Sequence, residues 1–200
     1  MMISETYDED VFIADFTEYN NTHGSQSTDF SGVTVGKEEN GIIPSFILNN
    51  PNKAQVKVVN NEKNQPVYTR EDKTKVSNCE CIIHTDRHDN RKGWLMFIEL
   101  KYCKPQNVYA RMLEGIGQLK ATCNYILKEK QEIDESQYAK KYLVISTPGV
   151  EPLDPFDAYY FVQEDMLTIK EETGALLKAA NQAWVLTPAV VKFSSAHSDE

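Results

Sequence analysis

Three charged side chains in two otherwise apolar segments are the residues of this sequence best suited to chemistry. Glu99 and Lys101 lie two residues apart in segment 97–102, and in a strand they would point to the same face of the sheet. Glu80 interrupts the cysteine- and isoleucine-containing segment 79–83. Apolar strands rarely carry charges without a compensating partner, so these three positions are candidates for a functional site.

A hairpin between the two segments would place the two carboxylates side by side. If residue 84 pairs near residue 95, Glu80 lies beside Glu99. Adjacent carboxylates in an apolar sheet repel each other unless a cation lies between them, and their oxygens are ligands that Mg²⁺ and Mn²⁺ prefer. Lys101 would then position or deprotonate a metal-bound water. A structural ion pair of Lys101 with either carboxylate is the alternative.

The elements that must position these residues are a hairpin, a helix and a further strand. The sequence predicts strands at 79–84 and 94–103, a helix at 107–130 with one apolar face, and a buried strand at 141–146. A helix followed by a strand indicates a crossover onto the same sheet. The predicted fold class is α/β, with a mixed central sheet and flanking helices.

The remaining predicted elements flank this core. They are a short helix at 8–20, a loop at 21–41 with an extended piece at 33–35, strands at 55–59, 66–70 and 183–186, and a helix around 164–181. We expect one domain over residues 1–193, with its core at about 52–146, and a polar mobile tail at 194–200.

The acidic residue in one strand, the Glu-x-Lys of the next and the long helix after it resemble the PD-(D/E)XK nuclease superfamily, which includes restriction endonucleases, junction resolvases and repair exonucleases. The resemblance implies a restriction-endonuclease-like core. It implies that Glu80, Glu99 and the backbone carbonyl of Leu100 bind Mg²⁺ or Mn²⁺, and that Lys101 is the catalytic lysine. Gln118 in the helix would orient water or substrate. The implied function is hydrolysis of nucleic-acid phosphodiester bonds, with DNA as the expected substrate.

The sequence departs from this family at two places. Cys79 and Glu80 stand where the family usually has Pro-Asp. The extra methylene of glutamate moves the carboxylate about one C–C bond from the backbone, which alters the geometry available to Mg²⁺. Many members supply another acidic residue from an N-terminal helix. Glu18 is the best-placed candidate, although we favour its interpretation as a solvated surface acid.

The charge distribution bears on the partner. The net charge of −9 disfavours nucleic acid, because phosphate contacts need lysine and arginine. However, residues 31–130 hold 16 basic and 11 acidic side chains, so a local basic face can form there. The alternative function is a non-catalytic protein-interaction module on the same fold, whose acidic ends bind a basic protein or mask the site.

The sequence favours a cytoplasmic protein with no membrane partner. The first ten residues carry no basic side chain, so no secretory signal is expected, and the longest apolar run, 94–98, is far below the ~18 residues that cross a bilayer.

The four cysteines form no CxxC pair and are expected to be reduced core residues. Strand alternation places Cys79 opposite Glu80, and His84 and His88 are interpreted as exposed loop residues rather than metal ligands.

Overall fold

Eleven strands and three helices make up the part of the chain that the structure describes. The structure is a computed structural model that describes residues 2–24, 30–36, 43–86, 91–152 and 159–194, with residues 159–165 described by their backbone alone. The strands are β1 (Glu5–Tyr7), β2 (Val11–Asp15), β3 (Val33–Gly36), β4 (Phe46–Asn49), β5 (Val56–Asn60), β6 (Cys81–His84), β7 (Gly93–Leu100), β8 (Tyr138–Ser146), β9 (Leu176–Ala179), β10 (Gln182–Thr187) and β11 (Val190–Phe193). The helices are α1 (Phe16–His23), α2 (Val108–Asn124) and α3 (Tyr159–Thr173).

The strands form two mixed sheets. The large sheet has the order β1-β5-β6-β7-β8-β9, and the small sheet has the order β11-β10-β4-β2-β3. In the large sheet β5, β6 and β7 are antiparallel, whereas β7, β8 and β9 are parallel. The predicted α/β class is confirmed, with a second sheet in addition to the expected one. The extended segments predicted at 33–35, 55–59 and 183–186 correspond to β3, β5 and β10.

The large sheet is covered on both faces, which explains why β7 is apolar throughout. Every residue of β7 is buried. Ile82 and Phe97 pack in a core under α2, whereas Met96 and Ile98 pack in a second core against the small sheet. Continuous rather than alternating apolar strands are typical of sheets buried on both faces. By alternation, Glu99 faces the core under α2.

Helix α2 provides the crossover between β7 and β8. It begins after Pro105 and continues as a π-helical turn at Tyr125–Glu129, so the helix predicted at 107–130 is confirmed. Strand β8 pairs in parallel with β7, as the predicted crossover requires. The predicted hairpin register is also confirmed, because His84 pairs with Leu95.

The helix predicted at 8–20 is wrong in its first half. Residues 11–15 form β2, because Val11 and Ile13 alternate into the core between the two sheets. Helix α1 begins only at Phe16, where Asp15 caps it by accepting a hydrogen bond from the backbone N–H of Glu18. The helix was predicted from the spacing of Phe12, Phe16 and Tyr19, but Phe12 belongs to β2 and the other two residues belong to α1.

Two further predictions fail for local reasons. The strand predicted at 66–70 is largely a 3₁₀ segment, Glu62–Tyr68. The helix predicted at 164–181 ends at Thr173, after which Gly174 adopts a φ of +68°. That left-handed conformation is a common way to end a helix, and it directs the chain into β9 at the edge of the large sheet.

The four cysteines are buried and free, in agreement with their interpretation as small core residues. Cys79 nevertheless lies in the core under α2, not opposite it as predicted. Its backbone N–H donates to Thr122 Oγ1 at 2.8 Å, so the segment before β6 leaves the regular pleat.

Parts of some predictions fall outside the described residues, namely residues 195–200 of the tail predicted at 194–200, residues 25–29 and 37–41 of the loop predicted at 21–41, and His88. His84 is described, and it is not an exposed loop residue: its side chain is 12% exposed and its Nδ1 lies 3.0 Å from the Tyr138 hydroxyl. Among the described residues, no helix is both long and apolar enough to cross a membrane.

Candidate metal centre

Glu80 and Glu99 lie side by side where β6 begins. Cys81, the first residue of β6, pairs with Ile98, so Glu80, just before β6, lies opposite Glu99 on β7, as the sequence predicted. The Oε2 atom of each glutamate is buried and accepts no hydrogen bond from an N–H or hydroxyl group of the described residues, and the two carboxyl groups are close enough to share a hydrogen bond when one of them is protonated. Burial and the neighbouring Glu99 charge hold the pKa of Glu80 well above its ordinary value, and burial also raises the pKa of Glu99. Both shifts favour the protonated form of the pair when no cation lies between the two carboxyl groups.

Among the described residues, Lys101 is the cation that pairs with Glu99. Its Nζ lies 2.5 Å from Glu99 Oε1, 3.8 Å from Glu114 Oε1 and 3.9 Å from Glu18 Oε1. Burial alone would lower the pKa of Lys101, but the charges of Glu99 and Glu18 outweigh it and raise that pKa. Lys101 is thus a buried ammonium, with its three donors close to carboxylates.

Two more carboxylates enter the centre from the junction of β2 and α1. One oxygen from each of Asp15, Glu18 and Glu80 lies within 4.8 Å of the others, a grouping that can hold a metal ion. The interpretation of Glu18 as a solvated surface acid is wrong, because its side chain is 13% exposed and pairs with Arg111. Asp15 was not predicted at all, although Asp15-x-x-Glu18 has the spacing of a helix-capping box.

Helix α1 is held beside the end of β7 by contacts to Tyr102, the residue after Lys101. Thr22 donates to the Tyr102 carbonyl at 3.1 Å, and the rings of Tyr19 and Tyr102 meet edge to face with centroids 5.3 Å apart. The Tyr102 hydroxyl in turn donates to the Pro44 carbonyl at 2.7 Å. These contacts fix the carboxylates of α1 opposite those of the hairpin.

Buried amides hold the Glu80 backbone, which lies just outside β6. The backbone N–H of Asn61 donates to the Glu80 carbonyl at 2.9 Å, and its side-chain amide donates to the Cys79 carbonyl at 2.8 Å. The Tyr68 hydroxyl donates to Asn61 Oδ1 at 2.6 Å. The role of Asn61 was not predictable, since an asparagine in a polar stretch gives no signal of burial.

Of the other two predicted residues, Gln118 lies on α2 and Leu100 is the last residue of β7. Gln118 Oε1 is buried, and no described residue donates to it. The Gln118 carbonyl accepts a hydrogen bond from Thr122 Oγ1 at 2.8 Å, and the same hydroxyl accepts from the Cys79 N–H, so this turn of α2 is tied to the Glu80 segment. The Leu100 side chain is buried in the core between the sheets, away from the carboxylates.

Arg111 and Glu114, both on α2, form ion pairs with the other charged residues of the centre. Arg111 donates to Glu18 and to Glu114 through different guanidinium nitrogens. Five carboxyl groups (Asp15, Glu18, Glu80, Glu99 and Glu114) thus share two cations. An excess of acidic oxygens in a partly dry site favours either bound protons or a divalent cation.

Comparison of the chain with protein-family models, with curated protein sequences and with solved structures finds no match. The interpretation of this centre therefore depends on its geometry and chemistry.

Gly115 allows α2 to approach the centre closely. A Cβ at this position would collide with Ile145 Cδ1 and lie 3.0 Å from Glu99 Cγ, whereas a Cβ at Gly117 would meet nothing within 4 Å. We expect Gly115→Ala to lower the free energy of unfolding by about 1–3 kcal/mol. Gly117→Ala should instead raise it by up to ~1 kcal/mol through helix propensity. Urea denaturation of both variants checks this, and equal stabilisation by the two would contradict the close approach.

The burial of Glu18 predicts a pH dependence of stability. Burial, opposed by Lys101 and Arg111, raises the pKa of Glu18 from 4.5 to about 7. A carboxyl whose pKa is raised on folding stabilises the protein fully below its unfolded pKa, and this stabilisation is lost as the pH rises through the folded pKa. Between pH 5 and pH 8, the metal-free protein should thus lose on the order of 2 kcal/mol relative to Glu18→Gln.

Thermal or urea unfolding of both proteins without divalent ions measures this difference. The comparison with Glu18→Gln removes the opposing contribution of His84, whose pKa is lowered by burial and which both proteins share. A stability difference that stays constant or grows in favour of the wild type with rising pH would contradict the raised pKa.

Proposed function

We propose that the protein is a metal-dependent nuclease-like hydrolase with a restriction-endonuclease-like core, acting on phosphodiester bonds of DNA. The observation that carries this proposal is the convergence of Glu80, Glu99 and Lys101. Each carboxylate has a buried oxygen that accepts no hydrogen bond from an N–H or hydroxyl group of the described residues. The order of hairpin, long helix and parallel strand around these residues also supports the resemblance to the PD-(D/E)XK superfamily.

The residues present fit a hard divalent cation. Glu80 lies both in the Asp15–Glu18–Glu80 grouping and beside Glu99, so the four side chains and the Leu100 carbonyl would hold Mg²⁺ or Mn²⁺ with oxygen ligands alone. When bound, the ion would supply Lewis-acid activation and neutralise charge on the phosphate.

The chain itself would supply a fixed donor and an orienting amide. Lys101, held at 2.5 Å by Glu99, would orient the attacking water and stabilise the negative charge that develops on the phosphate oxygens. The carboxamide of Gln118, whose Oε1 is buried without a donor among the described residues, would accept a hydrogen bond from that water or from substrate.

A non-catalytic interaction module is the second candidate. It is favoured by the net charge of −9 and by the ion pairs of Lys101 and Arg111, which neutralise part of the cluster without any metal. In that case the same residues form a structural charge network.

Nicking of supercoiled plasmid tests the proposal. We expect nicking with Mg²⁺ or Mn²⁺, none with a chelator, and salt-dependent binding to duplex DNA through counterion release. Absence of nicking and of salt-dependent binding across both ions would contradict the enzyme and favour the interaction module.

A further inference from the structure

Among the described residues, Arg111 is the one cation of the cluster that contacts the carboxylates and is also partly exposed to solvent. Its side chain is 32% exposed, whereas that of Lys101 is 5% exposed and forms an ion pair with Glu99. Arg111 pairs with Glu18, which also belongs to the metal-binding grouping, and with the half-exposed Glu114. A phosphate that approached the centre from solvent would therefore meet the Arg111 guanidinium before the Lys101 ammonium.

A divalent cation bound in the Asp15–Glu18–Glu80 grouping would compete with Arg111 for the Glu18 carboxylate. Glu18 Oε1 lies close to both Arg111 and Lys101, and a divalent charge bound within the grouping would repel the guanidinium and weaken its pair with Glu18. A guanidinium freed from one carboxylate keeps its planar fork of donors, which matches the two oxygens of a phosphate. The same side chain is ion-paired in the metal-free protein and would be released from Glu18 once a divalent cation is bound.

We propose that Arg111 is a phosphate-binding residue. Its ion pairs with Glu18 and Glu114 keep it from binding phosphate until a divalent cation binds Glu18. This inference rests on the proposed function and deepens it, because it makes DNA affinity depend on the metal through a single side chain. The ligand class is the phosphodiester backbone, without base specificity.

Lys120 provides a matched control on the same helix. Its side chain is also 32% exposed and pairs with a glutamate, Glu172, at 2.7 Å, but Glu172 is not part of the centre. Arg111→Ala and Lys120→Ala therefore remove equally exposed, ion-paired cations from α2.

Two titrations test the proposal. Calorimetry with Mn²⁺ should show several-fold tighter binding to Arg111→Ala than to the wild type, with no change for Lys120→Ala. In Ca²⁺, which is used to measure binding apart from cleavage, Arg111→Ala should bind a duplex oligonucleotide about tenfold more weakly, with a salt slope lower by about one. In chelator, the two variants should bind the oligonucleotide equally.

Unchanged or weaker Mn²⁺ binding by Arg111→Ala would overturn the competition for Glu18, and an equal loss of oligonucleotide binding in chelator and Ca²⁺ would overturn the metal dependence of phosphate binding. A wild-type protein that nicks plasmid while Arg111→Ala behaves like Lys120→Ala would overturn this inference alone. A wild-type protein that neither binds Mn²⁺ nor nicks would overturn the proposed function, and the inference with it.

Discussion

Replacement of Lys101 by alanine is expected to lower the plasmid-nicking rate by about 10³-fold while leaving Mn²⁺ binding in place. A positioned group that transfers or stabilises a proton contributes roughly 10²–10⁴ in rate, and no other described cation lies within 2.5 Å of Glu99. The loss should appear in the rate constant at saturating DNA, because Lys101 is too buried to contribute much to ground-state binding.

Two companion variants keep this result interpretable. Lys101→Met retains the aliphatic stem and should lose activity equally, which separates the lost charge from a packing defect. Lys104→Ala removes an exposed lysine three residues away and should nick at the wild-type rate. Wild-type activity in Lys101→Ala would contradict the assigned role, and thermal unfolding establishes that each variant folds.

Replacement of Glu80 by glutamine is expected to abolish metal binding without destabilising the metal-free fold. Burial and Glu99 already favour the protonated form of Glu80 by raising its pKa, and glutamine has the same shape with no charge to repel Glu99. Metal affinity should fall by more than about 100-fold, because loss of a ligand exceeds the 10–100-fold effect of an outer-sphere change.

Thermal unfolding with and without Mn²⁺ measures both halves of this prediction. The wild type should gain stability with ion concentration by mass action, whereas Glu80→Gln should start at equal or higher stability and gain nothing. Glu71→Gln, at an exposed position, should behave as the wild type. A Glu80→Gln protein that still gains stability with Mn²⁺ would contradict the shared role of Glu80.

The hairpin and its charges were predictable because their signals are local. The period of two fixes which side chains share a face, and the unbroken apolar character of β7 marks a strand buried on both sides. The charges at Glu80, Glu99 and Lys101 stood out against that background, and the pairing of His84 with Leu95 then placed them together.

The N-terminal half of the centre was not predictable in the same way. Asp15 and Glu18 lie at a junction between a strand and a helix, and the apolar residues on either side combine into a false helical period. Their burial arises from the packing of α1 on Tyr102, a contact between residues about 80 positions apart. Sequence spacing carries no information about such long-range contacts.

The edge strand β9 illustrates a further limit. Leu176–Ala179 follows a helix and has helix-compatible composition, and only Gly174 marks the boundary. The parallel pairing of β9 with β8 outweighs helix propensity, which is a weak signal compared with tertiary packing.

Calorimetric titration of Mn²⁺ into the metal-free wild type and into Glu99→Ala, followed by plasmid nicking in the same buffer, tests the central claim most directly. We predict binding and nicking by the wild type, and loss of both in Glu99→Ala. Absence of Mn²⁺ binding to the wild type, or binding unaffected by the loss of Glu99, would contradict the metal centre and leave Glu80, Glu99 and Lys101 as a structural charge cluster.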